Sequence, residues 1–365
     1  MRPGGGEPAR LFEAGTEWLR GEGDGSDVVL SSRVRLARNL AGVPFPSRGS
    51  PTDRRHALEA CKEAILSSSI GGGSTLWVDL HDAPPLERAL LVERHLISKQ
   101  HARGPRGKGA NDADHPRGVA VALPGERASV MVNEEDHLRM QVIRSGLALD
   151  AALEEADALD DRLEERLDFA YSPRFGYLTA CPTNVGTGVR LSVMLHLPGL
   201  RMTGEIDKVK RAAADMSLAV RGFYGEGSEA SGDFYQISNQ TTLGKTERVL
   251  LHEMQREIIP RVVEYERESR RQLLTRRRTL LEDQVSRPLG VLRHARVLAT
   301  EEALKLLSLV RLGVSLGLVE GVELRTVHHL MLLVQPAHLQ RALKKELDQN
   351  RRSVERAAMV RARLA

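Results

Sequence analysis

The chain has 365 residues, 41% of them hydrophobic and 28% charged, a composition that excludes a disordered or fibrous protein and leaves room for two or three domains. No apolar run approaches the roughly 20 residues of a membrane span, residues 1–27 lack a signal-peptide core, and two cysteines are too few for a disulfide framework, so a cytoplasmic setting without membrane contact is expected. The net charge of +4 comes with 44 arginines against nine lysines, an excess ascribed to codon composition; aromatics at 4% are too sparse for a nucleic-acid platform.

Residues 1–26 read as a flexible leader with at most one short helix around 11–19. In 54–67, Ala57, Leu58, Cys61 and Ile65 share one side of an amphipathic helix, and Cys61 is expected in the core. A strand over 76–80 and a helix over 86–98 follow, then a polar, glycine-rich surface loop over 104–116. Strands over 119–123 and 128–132 flank a turn at 124–127, a hairpin that delivers 133–137 to a strand end. Residues 151–167 are helical. Leu191, Val193, Leu195 and Leu197 alternate with Ser192, Met194 and His196 at strand period. Beyond Gly244 the spacing of Leu251, Met254, Ile258, Val262 and Tyr265 is helical, with Pro260 expected to kink or divide the segment. From 287 onward nearly everything reads as helix, with breaks near Gly321 and at Gln335–Pro336. The fold class is therefore α+β, a largely antiparallel central sheet flanked by helices, followed by an all-α C-terminal domain. The division predicted is 1–26, 27–269 and 270–365.

Two phosphate-binding signatures fail. Gly244, Lys245 and Thr246 end like a P-loop, but Asn239 occupies the position of its first glycine; Gly186 and Gly188 begin a dinucleotide fingerprint, but Leu191 replaces its third glycine. No His/Cys cluster has zinc spacing.

Three separated stretches carry chemistry: Ser31, Ser32, Arg33, Val34 and Arg35; the run from Asn133 to Arg139; and the run from Cys181 to Arg190. In an extended segment Arg33 and Arg35 project from one face, suited to phosphate oxygens or to a solvated face with a surface salt bridge. Glu134, Glu135 and Asp136 are either a solvated acidic loop or a strand-end site. An acceptor guanidinium keeps its protons to a pKa above about 12, so attack on phosphorus needs a carboxylate that orients it and takes a proton.

Together, in this order, the three stretches resemble the guanidino (phosphagen) kinases, and more closely the bacterial protein arginine kinases, over about residues 28–247. The resemblance implies a kinase using ATP and Mg²⁺. It makes Glu135 the catalytic base, Glu226 its partner carboxylate and Cys181 the reactive thiol, with Glu134 reaching the metal through water. Nucleotide binding is implied for Ser31, Ser32, Arg33, Val34, Arg35, His95, Arg139, Arg190, Leu191, Ser192, Val193, Met194, Arg221, Gly222, Phe223, Tyr224 and Gly225. Residues 222–232 are glycine-dense and expected to close over the site.

Small-molecule members of the family carry a helical domain ahead of the Ser31 motif that encloses the free amino acid; here too few residues precede it, since a domain needs at least about 40. Tyr224 also replaces a residue that is usually basic. Both features favour arginine within a polypeptide, exposed or unfolded, over the alternative of free arginine or another small guanidino compound. A non-catalytic phosphoarginine-binding adaptor is the alternative from another class. The C-terminal helices resemble a domain that binds phosphoarginine and supports a homodimer. Arg352 and Arg356 match its pocket, with Ser353 where the family has aspartate; the other reading is an exposed i, i+4 pair. The resemblance also implies a stress-response repressor, an unfoldase-protease that degrades tagged proteins and a zinc-binding activator as partners.

Overall fold

The computed structural model describes residues 16–68, 70–104, 115–222 and 231–365. After a 3₁₀ turn at Glu17–Leu19 come β1 (Val29–Arg38), α1 (Pro51–Ser67), β2 (Ser74–Asp79), α2 (Pro85–Glu93), α3 (Lys99–Arg103), β3 (Gly118–Leu123), β4 (Ala128–Val132) and β5 (Leu138–Ser145). Then follow α4 (Leu149–Glu164), the short strands β6 (Tyr171–Ser172) and β7 (Gly176–Tyr177), β8 (Val189–His196), α5 (Pro198–Met202), α6 (Ile206–Asp215), β9 (Leu218–Gly222) and β10 (Phe234–Asn239). The rest is helical: α7 (Glu247–His252), α8 (Ile259–Arg276), α9 (Arg278–His294), α10 (Thr300–Ser315), α11 (Leu324–Leu333), α12 (Pro336–Leu343) and α13 (Gln349–Leu364).

Eight strands form one sheet in the order β2-β3-β4-β5-β1-β8-β10-β9, with every neighbouring pair antiparallel. The expected α+β architecture is what the chain adopts. Strand alternation splits the sheet's two faces. On one face Val34, Leu36, Val142, Leu191, Val193 and Ile237 are buried against Leu153, Ala156 and Leu159 of α4 in the main core. On the other face two apolar clusters flank a polar middle. Leu76, Val119, Val121 and Met131 pack with Leu91 of α2 at one side. Ile143, Met194 and Phe234 pack with Leu304, Leu307 and Leu330 of the C-terminal helices at the other. The strip left between these clusters is where β1 presents Arg33 and Arg35.

Most elements match their sequence patterns. α1 starts where Ser50 and Asp53 form a reciprocal cap with Pro51 in the first turn. Cys61 is 0% exposed within the core, as expected. Three departures have local physical causes. The helix expected over 86–98 stops at Glu93, because His95 takes φ 60, which no helix continues through. Pro260 does not break its segment: a π-helical turn at Glu253–Ile258 leads into α8, and the proline falls in that helix's first turn, where its missing N–H is harmless. Part of the expected leader is packed: Trp18 and Leu19 are 4% and 7% exposed within the cluster that joins the sheet to the C-terminal helices. None of the described helices is long and apolar enough to cross a membrane.

Candidate active site

The polar strip is built by register. On β1, Arg33 faces Ser192 of β8 and Ile143 of β5, while Arg35 faces Arg190 and Gln141. Arg139 lies opposite Ala37, and Arg221 of β9 lies opposite Gln236 of β10, which is itself opposite Met194. Directly opposed residues share a face, so Arg33, Arg35, Arg139, Arg190 and Arg221 project from one side of neighbouring strands. The Arg33 guanidinium donates to Ser192 Oγ at 3.3 Å and to Gln236 Oε1 at 2.6 Å. Arg35 Nε is buried without a hydrogen-bond partner among the described residues.

This arrangement is electrostatically costly by itself. Burial, then repulsion from Arg139, Arg190 and Arg221, pushes Arg33 down to about 9. Burial, then Arg33, Arg139 and Arg190, pushes Arg35 well below the usual arginine range. Among the described residues no salt bridge joins Arg33 or Arg35 to a carboxylate. A polyanion with several oxygens would relieve the repulsion and take up the idle donors, which fits a triphosphate.

His95 stands beside Arg33. The two help line a chamber of about 20 Å³ with Trp18, Ser192, Met194 and Gln236. The Trp18 ring meets the His95 ring edge-on at 4.7 Å, and the His95 carbonyl accepts from Gln141 Nε2 at 2.8 Å. Burial, then the charges of Arg33 and Lys99, lowers His95 to about 3, so its imidazole is neutral near pH 7. Arg221 and Gly222 also line a wider cleft of about 1460 Å³ reaching between α2, α6 and the C-terminal helices.

The acidic run forms the β4–β5 turn, with Asn133 at φ 58. Its three carboxylates are sorted by their surroundings. Glu134 accepts from Ser98 Oγ and from Arg139, each at 2.6 Å. Burial alone would raise its pKa, but the charge of Arg139 and the Ser98 hydrogen bond outweigh it and hold Glu134 at about 2. Glu134 also accepts from the Glu135 backbone N–H at 3.1 Å, leaving the Glu135 side chain exposed. Asp136 is 2% exposed and accepts from Asn39 Nδ2 and the Ala180 N–H, both at 2.6 Å. Because Ala180 precedes Cys181, Asp136 ties the acidic turn to the thiol. Asn39 reinforces the tie, donating to the Leu178 carbonyl at 3.1 Å and accepting from the His137 N–H at 2.9 Å.

Cys181 is partly exposed, with Sγ 3.0 Å from Thr183 Oγ1. The turn after it passes Gly186 at φ 112, where an added Cβ would sit 2.4 Å from the Thr242 carbonyl oxygen; only glycine fits. The site can thus grip a multiply charged phosphate tail on one side and present an exposed carboxylate and a thiol on the other.

The family described as ATP:guanido phosphotransferase, C-terminal catalytic domain, matches residues 57–269, and the Protein-arginine kinase McsB C-terminal domain matches 278–365. A protein-arginine kinase of Halothermothrix orenii is 45% identical over 350 residues, covering 96% of each chain. That of Bacillus subtilis is 40% identical over 355 residues, covering 97% of this chain and 94% of its own. Among solved structures, lombricine kinase is 25% identical with a TM-score of 0.57, covering 68% of each chain. The duplicated taurocyamine kinase of Schistosoma mansoni, solved with bound transition-state-analogue components, is 30% identical with a TM-score of 0.57 over 66% of this chain. This chain spans 33% of that longer one.

The chain belongs to the ATP:guanido phosphotransferase family.

The catalytic-domain match begins at residue 57, so β1 with Arg33 and Arg35 lies ahead of it. Antiparallel pairing nonetheless sets β1 between β5 and β8, at the centre of this phosphotransferase fold. The structure brings together Ser31, Arg33, Arg35, His95, Arg139, Arg190, Ser192, Met194 and Arg221 on one face. Ser32, Val34, Leu191 and Val193 alternate onto the opposite face, where they fix strand packing; Ser32 Oγ donates to the Gly146 carbonyl at 2.9 Å and accepts from the Ala148 N–H at 2.9 Å. Phe223, Tyr224, Gly225 and Glu226 lie outside the described residues.

At the far end of the chain, Arg356 is 2% exposed and donates to the carbonyls of Val334 (2.7 Å) and Leu298 (2.8 Å). Arg352 donates to the Leu347 carbonyl at 3.1 Å. The reading of an exposed i, i+4 pair is therefore corrected for Arg356: its fork is taken by carbonyls at the ends of neighbouring elements.

Sequence reasoning did not single out Asn39, Ser98, Trp18 or Gln236. The only local signal was Asn39 closing the Ser31 strand; the other three act through residues distant in sequence.

The two thiols are expected to react differently. Burial pushes Cys61 up to about 12, while Cys181 is partly exposed. Iodoacetamide on the native protein should label Cys181 and leave Cys61 until denaturant is added. Peptide mass spectrometry checks this, and native labelling of Cys61 would contradict the burial.

Proposed function

We propose that this chain is an ATP:protein-arginine N-phosphotransferase. The observation that carries the reading is the five-arginine face beside an acidic turn with one exposed glutamate, in a chain of which 96% matches a protein-arginine kinase. Arg33, Arg35, Arg139, Arg190 and Arg221 hold the triphosphate and spread its charge as transfer proceeds. Ser31, Ser192, Met194 and His95 shape the nucleotide site, with Gly222, Phe223, Tyr224 and Gly225 completing it. Glu135 orients the substrate guanidinium and accepts one of its protons, Glu226 holds the far nitrogen, and Cys181 as thiolate steadies the cation. The γ-phosphorus–oxygen bond breaks, a nitrogen–phosphorus bond forms, the proton passes to Glu135, and ADP leaves.

Magnesium supplies charge neutralisation on the phosphates. Among the described residues no group of three or more His, Cys, Asp or Glu side chains could hold a metal ion. Such an ion would be carried by phosphate oxygens and water. Glu134 already serves Ser98 and Arg139, which suits contact through water rather than direct ligation.

The same reading divides the chain into a catalytic unit at 27–269 and a helical unit at 270–365, which uses Arg352 toward phosphoarginine, with Arg356 bracing that corner through the Val334 and Leu298 carbonyls, and supports a homodimer. It also makes the protein cytoplasmic and part of protein quality control, marking proteins for degradation with a stress repressor, an unfoldase-protease and a zinc-binding activator as partners.

Incubation with Mg-ATP and either unfolded casein or free arginine tests the central claim. Acid-labile phosphate localised to casein arginines by peptide mass spectrometry is expected. Phosphorylation of the free amino acid alone would reject it.

A further inference from the structure

The C-terminal helices meet the nucleotide face at the end of α2. Glu93, its last residue, accepts from the backbone N–H groups of Ala337 at 2.8 Å and His338 at 2.9 Å, both at the start of α12. It also accepts from His338 Nδ1 at 2.7 Å, and its side chain is 10% exposed. Arg94, 1% exposed, pairs with Glu126 at 2.7 Å and lies 3.3 Å from His338 Nε2. A guanidinium only donates, so His338 Nε2 accepts from Arg94 and Nδ1 carries the hydrogen given to Glu93.

The next residue is His95, at φ 60. A left-handed histidine persists only where its surroundings over-determine it. One constraint is the α12 contact two residues upstream. A second comes from the opposite side: Trp18 stands edge-on to the imidazole, and the carbonyl of Leu19 faces His328 Nδ1 of α11 at 3.0 Å. Neighbouring C-terminal helices therefore hold the chain on both sides of the one histidine that lines the Arg33 chamber.

We infer that Glu93 is a positioning residue: clamped by the start of α12, it fixes His95 beside Arg33, so docking of the C-terminal helices sets the affinity for ATP. The inference rests on reading the arginine face as the nucleotide site. It goes beyond that reading in giving the helical unit a direct hand in nucleotide binding.

The test uses the full chain and measures ATP binding by titration calorimetry, apart from turnover. Glu93→Ala is expected to weaken ATP binding about tenfold while kcat at saturating ATP changes less than about threefold. The control Arg267→Ala removes an ion pair with Asp27 (2.6 Å) that fastens α8 elsewhere, and it should leave ATP affinity within about twofold. Unchanged affinity in Glu93→Ala, or an equal loss in Arg267→Ala, would overturn the inference. Should Glu93→Ala fail to fold, Glu93→Gln, which replaces one of the two accepting oxygens by an amide NH₂, is read by the same measure, and wild-type affinity there overturns it too. If the unaltered chain bound no ATP, the nucleotide reading itself would fall and this inference with it. Wild-type binding with an unaffected Glu93→Ala would sink the clamp alone.

Discussion

Glu135→Ala is expected to lower kcat on a protein substrate by about a thousandfold, equivalent to roughly 4 kcal/mol of barrier, with ATP affinity and thermal stability unchanged. The Glu135 side chain is exposed, so little packing is lost. The neighbours are poor substitutes. Glu134 is held at about 2 by Arg139 and Ser98, against burial, and so makes a weak base. Asp136 is raised by burial, but its carboxylate is committed to Asn39 and Ala180. Transfer of labelled phosphate from ATP to casein, with ATP binding followed in parallel, measures the effect. Full activity in the variant would remove Glu135 from the role of base.

The second large effect has opposite signs for function and stability. Arg35→Met should reduce kcat/KM by about a hundredfold to a thousandfold, the range for removing one preorganised donor to developing charge. It should also raise the melting temperature of the nucleotide-free chain by about 2 °C. Arg35 is half-buried, its Nε has no partner among the described residues, and Arg33, Arg139 and Arg190 repel it. Removing a charge so placed relieves strain in the folded state while deleting a grip on phosphate. Differential scanning calorimetry beside steady-state kinetics decides the matter. A melting temperature that fell together with activity would make Arg35 a structural residue.

The five arginines could be nominated from motifs, but their convergence could not. Strand periodicity shows that Arg33 and Arg35 share a face, yet only cross-strand register sets Arg190 opposite Arg35 and Arg139 opposite Ala37. Local pattern sees neighbours in sequence, and register depends on pairing partners more than a hundred residues away. His95 shows the same limit. Its segment has helical spacing, which predicts a helix running through it; the structure ends α2 at Glu93, where the α12 start holds the chain two residues upstream, and Trp18 and Gln141 contact the histidine itself at φ 60. Trp18 lay in a stretch whose Gly-rich, acidic texture argued for mobility, and its burial depends on an apolar surface assembled from β1, β5, β8 and the C-terminal helices. The polar ties of Asn39 and Asp136 were equally invisible, since a buried carboxylate looks like a solvated one until its donors are known.

What the chain's composition and order of residues settled alone was the class of protein and its chemical vocabulary: alternating strands, a hairpin presenting carboxylates, paired arginines, a thiol before a glycine turn, and helices thereafter. These are properties of short segments, governed by side-chain periodicity and turn stereochemistry. Which carboxylate stays exposed, that Arg35 Nε finds no partner among the described residues, and how the last helices reach Glu93 and Leu19 on either side of His95 were decided only by the folded molecule. Burial and charge at each of these sites come from groups brought together across the sheet, and their energies depend on distance in space.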